Sequence, residues 1–407
     1  MQYTTEEIAT HNKIDDCWII VYDNIYNITN FMEKEHPGGF IPLSIAGMDT
    51  TNLFISTHPS YVDELLVSDS PFYKKYYVGE VCNKVTRDDT LYYKLKKEVE
   101  TYMKKNNLKA RDNILFELEI ILLFIMTVYT YFEIFSSNYK LFFSIFHSIM
   151  WSFLLTRTIH DSNHGGLTKH SEWKRYLVTF IPEIFSSNHS WQMQHNRHHM
   201  HTNHIDKDPD TKFDPIFRIT KTTKNSMHYK LQPIYAFLLY PLYTFKQMVY
   251  LHYSNDNKAV EPMHQKMFIP AKLILVGYWG YSIYNEQLLW LILSHLIAGF
   301  YLSILFIVSH TQSHLIDENR NENSFLEEQL STTIDYNTGC EISNIVSHGL
   351  NHQTIHHLFP SINYHHYPRL TTDVLIPFCK TNNLKYNGNI TFKEAVVMHI
   401  NTLIDLS

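Results

Sequence analysis

His160-Asp161-Ser162-Asn163-His164, His195-Asn196-Arg197-His198-His199 and Gln353-Thr354-Ile355-His356-His357 decide how this 407-residue chain reads. Residues three and four apart share one face of a helix, so each string presents its polar side chains as one stripe. Three such stripes can close around metal. Imidazole nitrogen suits iron, zinc, copper or nickel, and a dense nitrogen set beside apolar segments points to oxygen chemistry at iron. One such string is compatible with a core histidine. Three in chain order, at these intervals, are a metal signal.

The segments around the strings are apolar at membrane length. Residues 114–135 and 139–159 form runs of about 20 residues, the span of a bilayer core, joined by Ser136-Ser137-Asn138. A second pair, 266–284 and 287–309, is joined at Asn285-Glu286. Four membrane helices in two hairpins are predicted. Between the pairs, 176–187 and 231–250 are apolar but interrupted by Pro182, Pro233 and Pro241, which predicts interfacial or re-entrant helices. With a cytosolic N-terminus, the first string falls where the second span re-emerges. The second string lies in the stretch that follows, and the third lies after the fourth span, so all three reach one face. The hairpin links carry almost no Lys or Arg and the histidine-bearing segments carry many, which agrees with the positive-inside rule.

Composition narrows the class. A net charge of −6 argues against nucleic-acid binding. Histidine is over-used, at 26 residues, and the mean hydropathy of −0.23 averages polar with strongly apolar windows. The four cysteines, Cys17, Cys82, Cys340 and Cys379, form no CxxC pair and give no disulfide framework, as expected of a reduced cytosolic environment. The polar, acidic start predicts no cleavable signal peptide.

Residues 1–82 read as a small α+β module. Thr4 and Glu7 form a capping box, and 18–22 and 24–28 are β-rich runs separated by Asp23. Residues 83–112 are a charged connector in which Leu91, Leu95 and Val99 recur at helical spacing. This is an amphipathic helix on the bilayer surface or an ordinary solvated linker helix.

Within the first module stands His36-Pro37-Gly38-Gly39, preceded by Phe31-Met32-Glu33-Lys34-Glu35 and followed by Ala46-Gly47-Met48-Asp49, Phe54 and His58. Together with His11-Asn12 and the run 16–20, this resembles cytochrome b5 over residues 3–82. The resemblance implies that His36 and His58 are the axial ligands of a b-type haem. Pro37 and the two glycines suit a rigid turn that lets a flat macrocycle approach the backbone. Two axial histidines leave no place for oxygen, so such a haem passes electrons only. Pro59 departs from the serine common in that family. Glu33, Glu35, Asp49, Asp63 and Glu64 would fall near the haem edge, where an acidic rim suits a basic reductase or is simply a solvated face.

Residues 113–407 resemble the membrane fatty-acid desaturases. The fused cytochrome b5 module and the glutamine of the third string resemble the front-end subgroup, whose motifs read HxxxH, HxxHH and QxxHH. Trp191-Gln192-Met193-Gln194-His195, Thr202-Asn203, Asp208-Pro209-Asp210, Gly349-Leu350-Asn351-His352 and Leu358-Phe359-Pro360-Ser361 fit as well. His348 departs from a common glycine. The resemblance implies a di-iron centre held by His160, His164, His195, His198, His199, His356 and His357, with Gln353 weakly bound through its amide oxygen or a water. A further histidine from the end of the last span would be His310 or His314, with His310 favoured as nearer the membrane exit. Asp161 and Asp208 are candidates to hydrogen-bond ligand imidazoles. His201, His204, His352, His365 and His366 are read as supporting or surface residues. His147 and His295, within spans, are functional candidates or interhelical hydrogen bonds. Trp151, Trp173, Trp191 and Trp290 are belt residues or channel walls.

The expectation is therefore a small α+β haem domain (1–82), a linker (83–112) and an all-α integral membrane desaturase domain (113–407). The implied reaction places a cis double bond toward the carboxyl end of a fatty-acyl chain, on coenzyme A or a phospholipid, using dioxygen. Electrons would come from NAD(P)H through an NADH-cytochrome b5 reductase or its equivalent. The implied setting is the endoplasmic reticulum bilayer, with both termini and the active-site histidines cytosolic. Two alternatives use the same parts. A fatty-acid or sphingolipid hydroxylase would insert oxygen, but Gln353 and the two span pairs favour the desaturase. A non-catalytic haem carrier with structural zinc would need only four ligands, and the strings supply seven or eight.

Overall fold

The computed structural model describes residues 1–111, 114–161, 163–165, 172–249, 260–312, 315–316 and 324–407, with the side chains of 172–177 outside the description. The N-terminal module is built on a five-stranded sheet in the order β1-β5-β4-β3-β2. The strands are β1 (Gln2–Tyr3), β2 (Asn12–Lys13), β3 (Asp16–Val21), β4 (Asn24–Asn27) and β5 (Tyr77–Val81). β1 runs parallel to β5 and the remaining pairs are antiparallel. The β3–β4 turn takes Tyr22 as well as Asp23, at φ of 51° and 62°. A two-residue hairpin needs both central residues at positive φ to match strand twist, so β3 ends one residue earlier than the apolar run. The Thr4–Glu7 capping box forms. Cys17, Val21, Tyr26, Ile28, Met32, Leu43 and Tyr76 pack between the sheet and the short helices.

The helix Thr90–Lys105 leads into the second module. Its apolar face lies neither on lipid nor in water. Tyr92, Leu95, Val99 and Met103 are buried in one core with Phe325, Leu358, Leu370 and Leu375. The Tyr92 hydroxyl donates at 3.0 Å to Ile55 O or to Leu358 O, which belong to different modules. Buried Lys96 donates to the Ile55 carbonyl at 2.9 Å. Helical periodicity shows that a face is buried but not what buries it, and here the C-terminal helices provide the matching apolar surface.

Three helices among the described residues are long and apolar enough to cross a membrane: Ile114–Ser136, Lys140–Asp161 and Leu288–Ile307. Four were expected. The third predicted span, in Pro262–Tyr284, forms as a helix and turns back at Asn285, but Lys266, Lys272 and internal Pro270 lower its apolarity. Its exposed Ile269, Leu273 and Val276 still present an apolar surface. The proline-interrupted segments become Glu172–Phe185, with Pro182 inside it, and the succession Gln232–Leu239, Tyr240–Leu242 and Tyr243–Val249. The middle piece crosses the last span where Gly299 has no side chain, since a Cβ there would overlap the Pro241 carbonyl.

The first string stands where the second span changes into a π turn, Arg157–Asp161, a geometry frequent at functional sites. The second lies on the helix Asn188–Met200 and the third on Gln353–Leu358.

Candidate metal centre and haem cradle

The three stripes converge. Ligand-capable atoms of His160, His164, His195 and His356 lie within 4.8 Å of one another, as do those of His198, His310 and His357, and those of His199, His356 and His357. Several Nε2 atoms face each other directly: His164 and His195 at 2.8 Å, His195 and His199 at 3.1 Å, His199 and His356 at 3.1 Å. Burial, reinforced by neighbouring histidines, holds His164, His195, His199, His356 and His357 well below the usual imidazole range. Neutral rings carry one N–H each, so two facing nitrogens can share at most one hydrogen, and His356 and His357 already direct Nδ1 outward to Tyr367 and Thr202. Their inward lone pairs then oppose one another unless a cation lies among them. His160 Nε2, His310 Nδ1 and the Gln353 amide oxygen are buried and lack a hydrogen-bond partner among the described residues. The donor set fits metal.

The outward nitrogens are anchored. His160 Nδ1 meets Asp161 at 3.0 Å and His198 Nδ1 meets Asp208 at 2.8 Å, as the two aspartates were expected to do. His356 Nδ1 bonds the Tyr367 hydroxyl at 3.0 Å, and His357 Nδ1 bonds Thr202 at 3.0 Å. Such bonds fix tautomer and ring orientation, leaving Nε2 free to face a metal held among the rings. At His198, burial lowers the pKa, but the Asp208 carboxylate outweighs it and holds the ring at about 9. Asp335 accepts from the Thr354 backbone at 2.8 Å and from Tyr386 at 2.6 Å. It thereby caps the helix that bears His356 and His357. Burial lifts its carboxyl to about 6.

A second cradle lies in the N-terminal module. The His36 and His58 rings face each other with centroids 6.3 Å apart, a gap that admits one metal ion at about 2 Å from each nitrogen. Each ring is anchored through Nδ1, to Gly39 O at 2.9 Å and Phe54 O at 3.0 Å, the arrangement that presents Nε2 as ligand. A Cβ at Gly38 would stand 2.8 Å from the His36 ring, so the missing side chain keeps the cradle open. Ile41, Leu53 and Phe54 make it apolar. These residues fit a flat macrocycle with two axial imidazoles. The same cavity is lined by Asn163, His164, Gly165 and Asn196 of the second module, so it opens on a member of the metal cluster.

Residues 139–389 match the fatty acid desaturase family, and residues 4–82 match the cytochrome b5-like haem/steroid-binding domain. The Delta(5) fatty acid desaturase A of Dictyostelium discoideum is 31% identical over 99% of this chain and 93% of its own. The chain belongs to the fatty acid desaturase family. Two further relatives are the acyl-lipid (8-3)-desaturase B of the same organism, 30% identical over 98% of this chain and 93% of its own, and the acyl-lipid (8-3)-desaturase of Physcomitrium patens, 28% identical over 98% and 90%. This protein is a front-end fatty acid desaturase, a membrane oxidoreductase fused to a cytochrome b5-like domain. Iron is a general property of the family, and the N-terminal domain is a haem-binding one.

The desaturase gathers all seven histidines of the strings, together with His310, which meets His198 and His357. His314 lies outside the described residues. Gln353 is beside them, lining a cavity of about 440 Å³ that His195, His198, His310 and His357 also line. Phe217, Leu239, Tyr240, Tyr243, Phe306 and Ile307 supply its apolar wall, and Asp210, Lys212, Asp214 and Lys246 are its charged members. Trp191 is part of that wall and stacks on His195 at 4.3 Å. Trp151 packs among the spans and Trp290 is half-buried, while the Trp173 side chain lies outside the description.

Other histidines stay out of the cluster. His352 accepts from Gly339 N, His365 faces Glu119 at 3.3 Å, and His366 bonds Lys109 O. His201 and His204 pair with each other. His147 and His295 share the Tyr278 hydroxyl at 3.0 and 2.9 Å, an interhelical bond. His348, at φ 60°, makes an edge contact with Phe153, and its ring nitrogens have no hydrogen-bond partner among the described residues. Of the acidic rim, Glu35 pairs with Lys75, Asp49 accepts from Thr51, and Asp63 faces Lys96 of the joining helix at 4.0 Å. Tyr367 and Asp335 carry no local motif in the sequence, and Thr202 stands out there only within the pair Thr202-Asn203, with no role attached to it.

Proposed function

We propose that His160, His164, His195, His198, His199, His310, His356 and His357 hold a pair of iron ions, and that His36 and His58 are the axial ligands of a b-type haem. Gln353 contributes a weak neutral contact through its amide oxygen or a water. The observation that carries this reading is the convergence of the three stripes beside an apolar cavity, with a bis-histidine cradle opening on the same cluster. The iron pair supplies dioxygen activation and removal of hydrogens from adjacent unactivated methylenes, chemistry beyond any side-chain acid or nucleophile. The chain's own residues do the rest. Asp161, Asp208, Thr202 and Tyr367 hold the rings, and the wall from Phe217 to Phe306 takes the acyl chain and excludes water.

The division proposed is a haem module at 1–82, a joining segment at 83–112 and a desaturase module at 113–407. The new bond is proposed at carbon 5, three carbons from an existing one at carbon 8, by likeness to the Delta(5) and (8-3) relatives. The acyl carrier is a phospholipid or coenzyme A. The protein sits in the endoplasmic reticulum membrane with both termini and the histidines cytosolic, and takes electrons from an NADH-cytochrome b5 reductase or an equivalent partner.

Yeast expressing the chain and fed linoleic acid, α-linolenic acid or a longer acid unsaturated at carbon 8 tests the reading by mass spectrometry. The expected product carries a new cis bond on the carboxyl side of the existing ones. Hydroxylated acids alone would overturn it, as would purified protein containing haem iron and no other.

A further inference from the structure

His399 belongs to none of the strings. It lies on the C-terminal helix Phe392–Asp405, is 1% exposed, and belongs to none of the candidate metal groups among the described residues. Both its nitrogens are nevertheless occupied. Nε2 meets the Tyr240 hydroxyl at 2.7 Å and Nδ1 meets the Thr311 hydroxyl at 2.7 Å. Tyr240 and Thr311 both line the cavity beside the metal cluster.

The direction of the chain of hydrogen bonds can be read off. Thr311 Oγ1 donates its one hydrogen to Ile307 O at 2.9 Å, so toward His399 it accepts. Nδ1 therefore carries the ring proton, and Nε2 accepts from the Tyr240 O–H. Burial holds the ring at a pKa of about 4, so it is neutral, as this pattern requires. The helix behind it is fixed as well: Gln312 donates to Ala395 O at 3.1 Å, and Gln232 donates to Leu403 O at 2.8 Å. Tyr240 is thus clamped to a rigid support, and the other end of the clamp is the residue next to His310.

We propose that His399 is a positioning residue for acyl selection, holding Tyr240 as a fixed wall of the cavity in register with the turn that carries His310. This rests on the reading of the cavity as the acyl site. A wall held by two directed hydrogen bonds to a neutral ring cannot swing aside. The chain length admitted, and the carbon that stops beside the histidines, then depend on it. A pocket wall of this kind discriminates one methylene by about tenfold or more.

The test compares turnover of acids differing by two carbons in the full-length haem- and iron-loaded protein. His399→Leu is expected to lower the preference for the favoured chain by about tenfold, with haem absorbance and iron content unchanged. Tyr240→Phe should do the same, and the double variant should be no worse than either single one, since both cut one linkage. His399→Gln, whose amide can donate and accept, should restore the preference. Phe306→Ala, which enlarges the cavity without touching His399, checks the underlying reading. If it shifts chain-length preference and His399→Leu and Tyr240→Phe do not, the role of His399 is overturned while the acyl site stands. If none of the three shifts it, the acyl site is wrong. An equal loss on every substrate, unrepaired by His399→Gln, would also overturn the proposal.

Discussion

Asn196 donates to the Ser44 hydroxyl at 2.8 Å, across the boundary between the haem module and the desaturase module. It follows His195 in the chain and lies one turn from His199, so a single helix bears metal-site histidines and grips the donor. Asn52 completes the grip from the other side, donating to Met200 O at 2.8 Å. Each such bond is worth about 1 kcal/mol. The Asn52→Ala/Asn196→Ala variant should keep its haem spectrum and its reduction by dithionite, and slow substrate-dependent haem re-oxidation by about tenfold. Unchanged re-oxidation in stopped flow would show that the seat is irrelevant to transfer.

Replacing either His36 or His58 by alanine should abolish the bis-histidine haem spectrum and turnover together. On the proposed reading both axial positions come from these two residues, while the histidine cluster lies in the other module. Metal analysis should find the non-haem iron intact. Full turnover without added cytochrome b5 would make the fused module dispensable.

The clusters separate residues that hold metal from residues that aim the holders. His310→Ala should give protein depleted of non-haem iron and inactive, with haem still present. Tyr367→Phe, which frees only His356 Nδ1, should weaken activity or metal affinity by about 10–100-fold, and His314→Ala should retain product. Gln353→Ala should lose nearly all activity, and Gln353→His should keep little, because a firmly bound imidazole would crowd the open position. Wild-type rates from Gln353→Ala would remove this residue from the site.

His264 yields a pH prediction away from the metal. Burial lowers its pKa, but the carboxylates of Glu183 and Glu261, at 3.8 and 3.5 Å, outweigh this and hold it at about 9. A folded-state pKa raised above the unfolded value of about 6.5 gives stability that is fully present below that value. It is lost as pH rises through about 9. The Tm gap between wild type and His264→Gln should therefore be widest in acid and narrow through that range. A gap independent of pH would exclude the charged imidazole.

The metal site was legible where ligands repeat within one turn of helix, because spacing alone then dictates a shared face. Of its supports, Asp161 and Asp208 stand close to the strings and were legible, while the distant ones were not. Thr202 and His357 are 155 residues apart, and Asp335 and Thr354 are 19 apart, so only the folded chain pairs them. His399 stands 159 residues from Tyr240, and no motif beside it marks a role. Apolar length revealed the hairpins but overstated the third helix, whose lysines and proline a window average conceals. The haem turn was readable because His36-Pro37-Gly38-Gly39 is local, whereas the neighbours of the cradle from residues 163–165 and 196 are not.

Because the core of the joining helix, from Tyr92 to Met103, is shared with Phe325, Leu358 and Leu370, the donor here is no longer a detachable accessory. Excising it would remove part of the oxidase's own interior, and grafting in a foreign donor would mean rebuilding that interior. Ile55, from the haem module itself, is buried in that same interior, so the core is complete only with both modules in place.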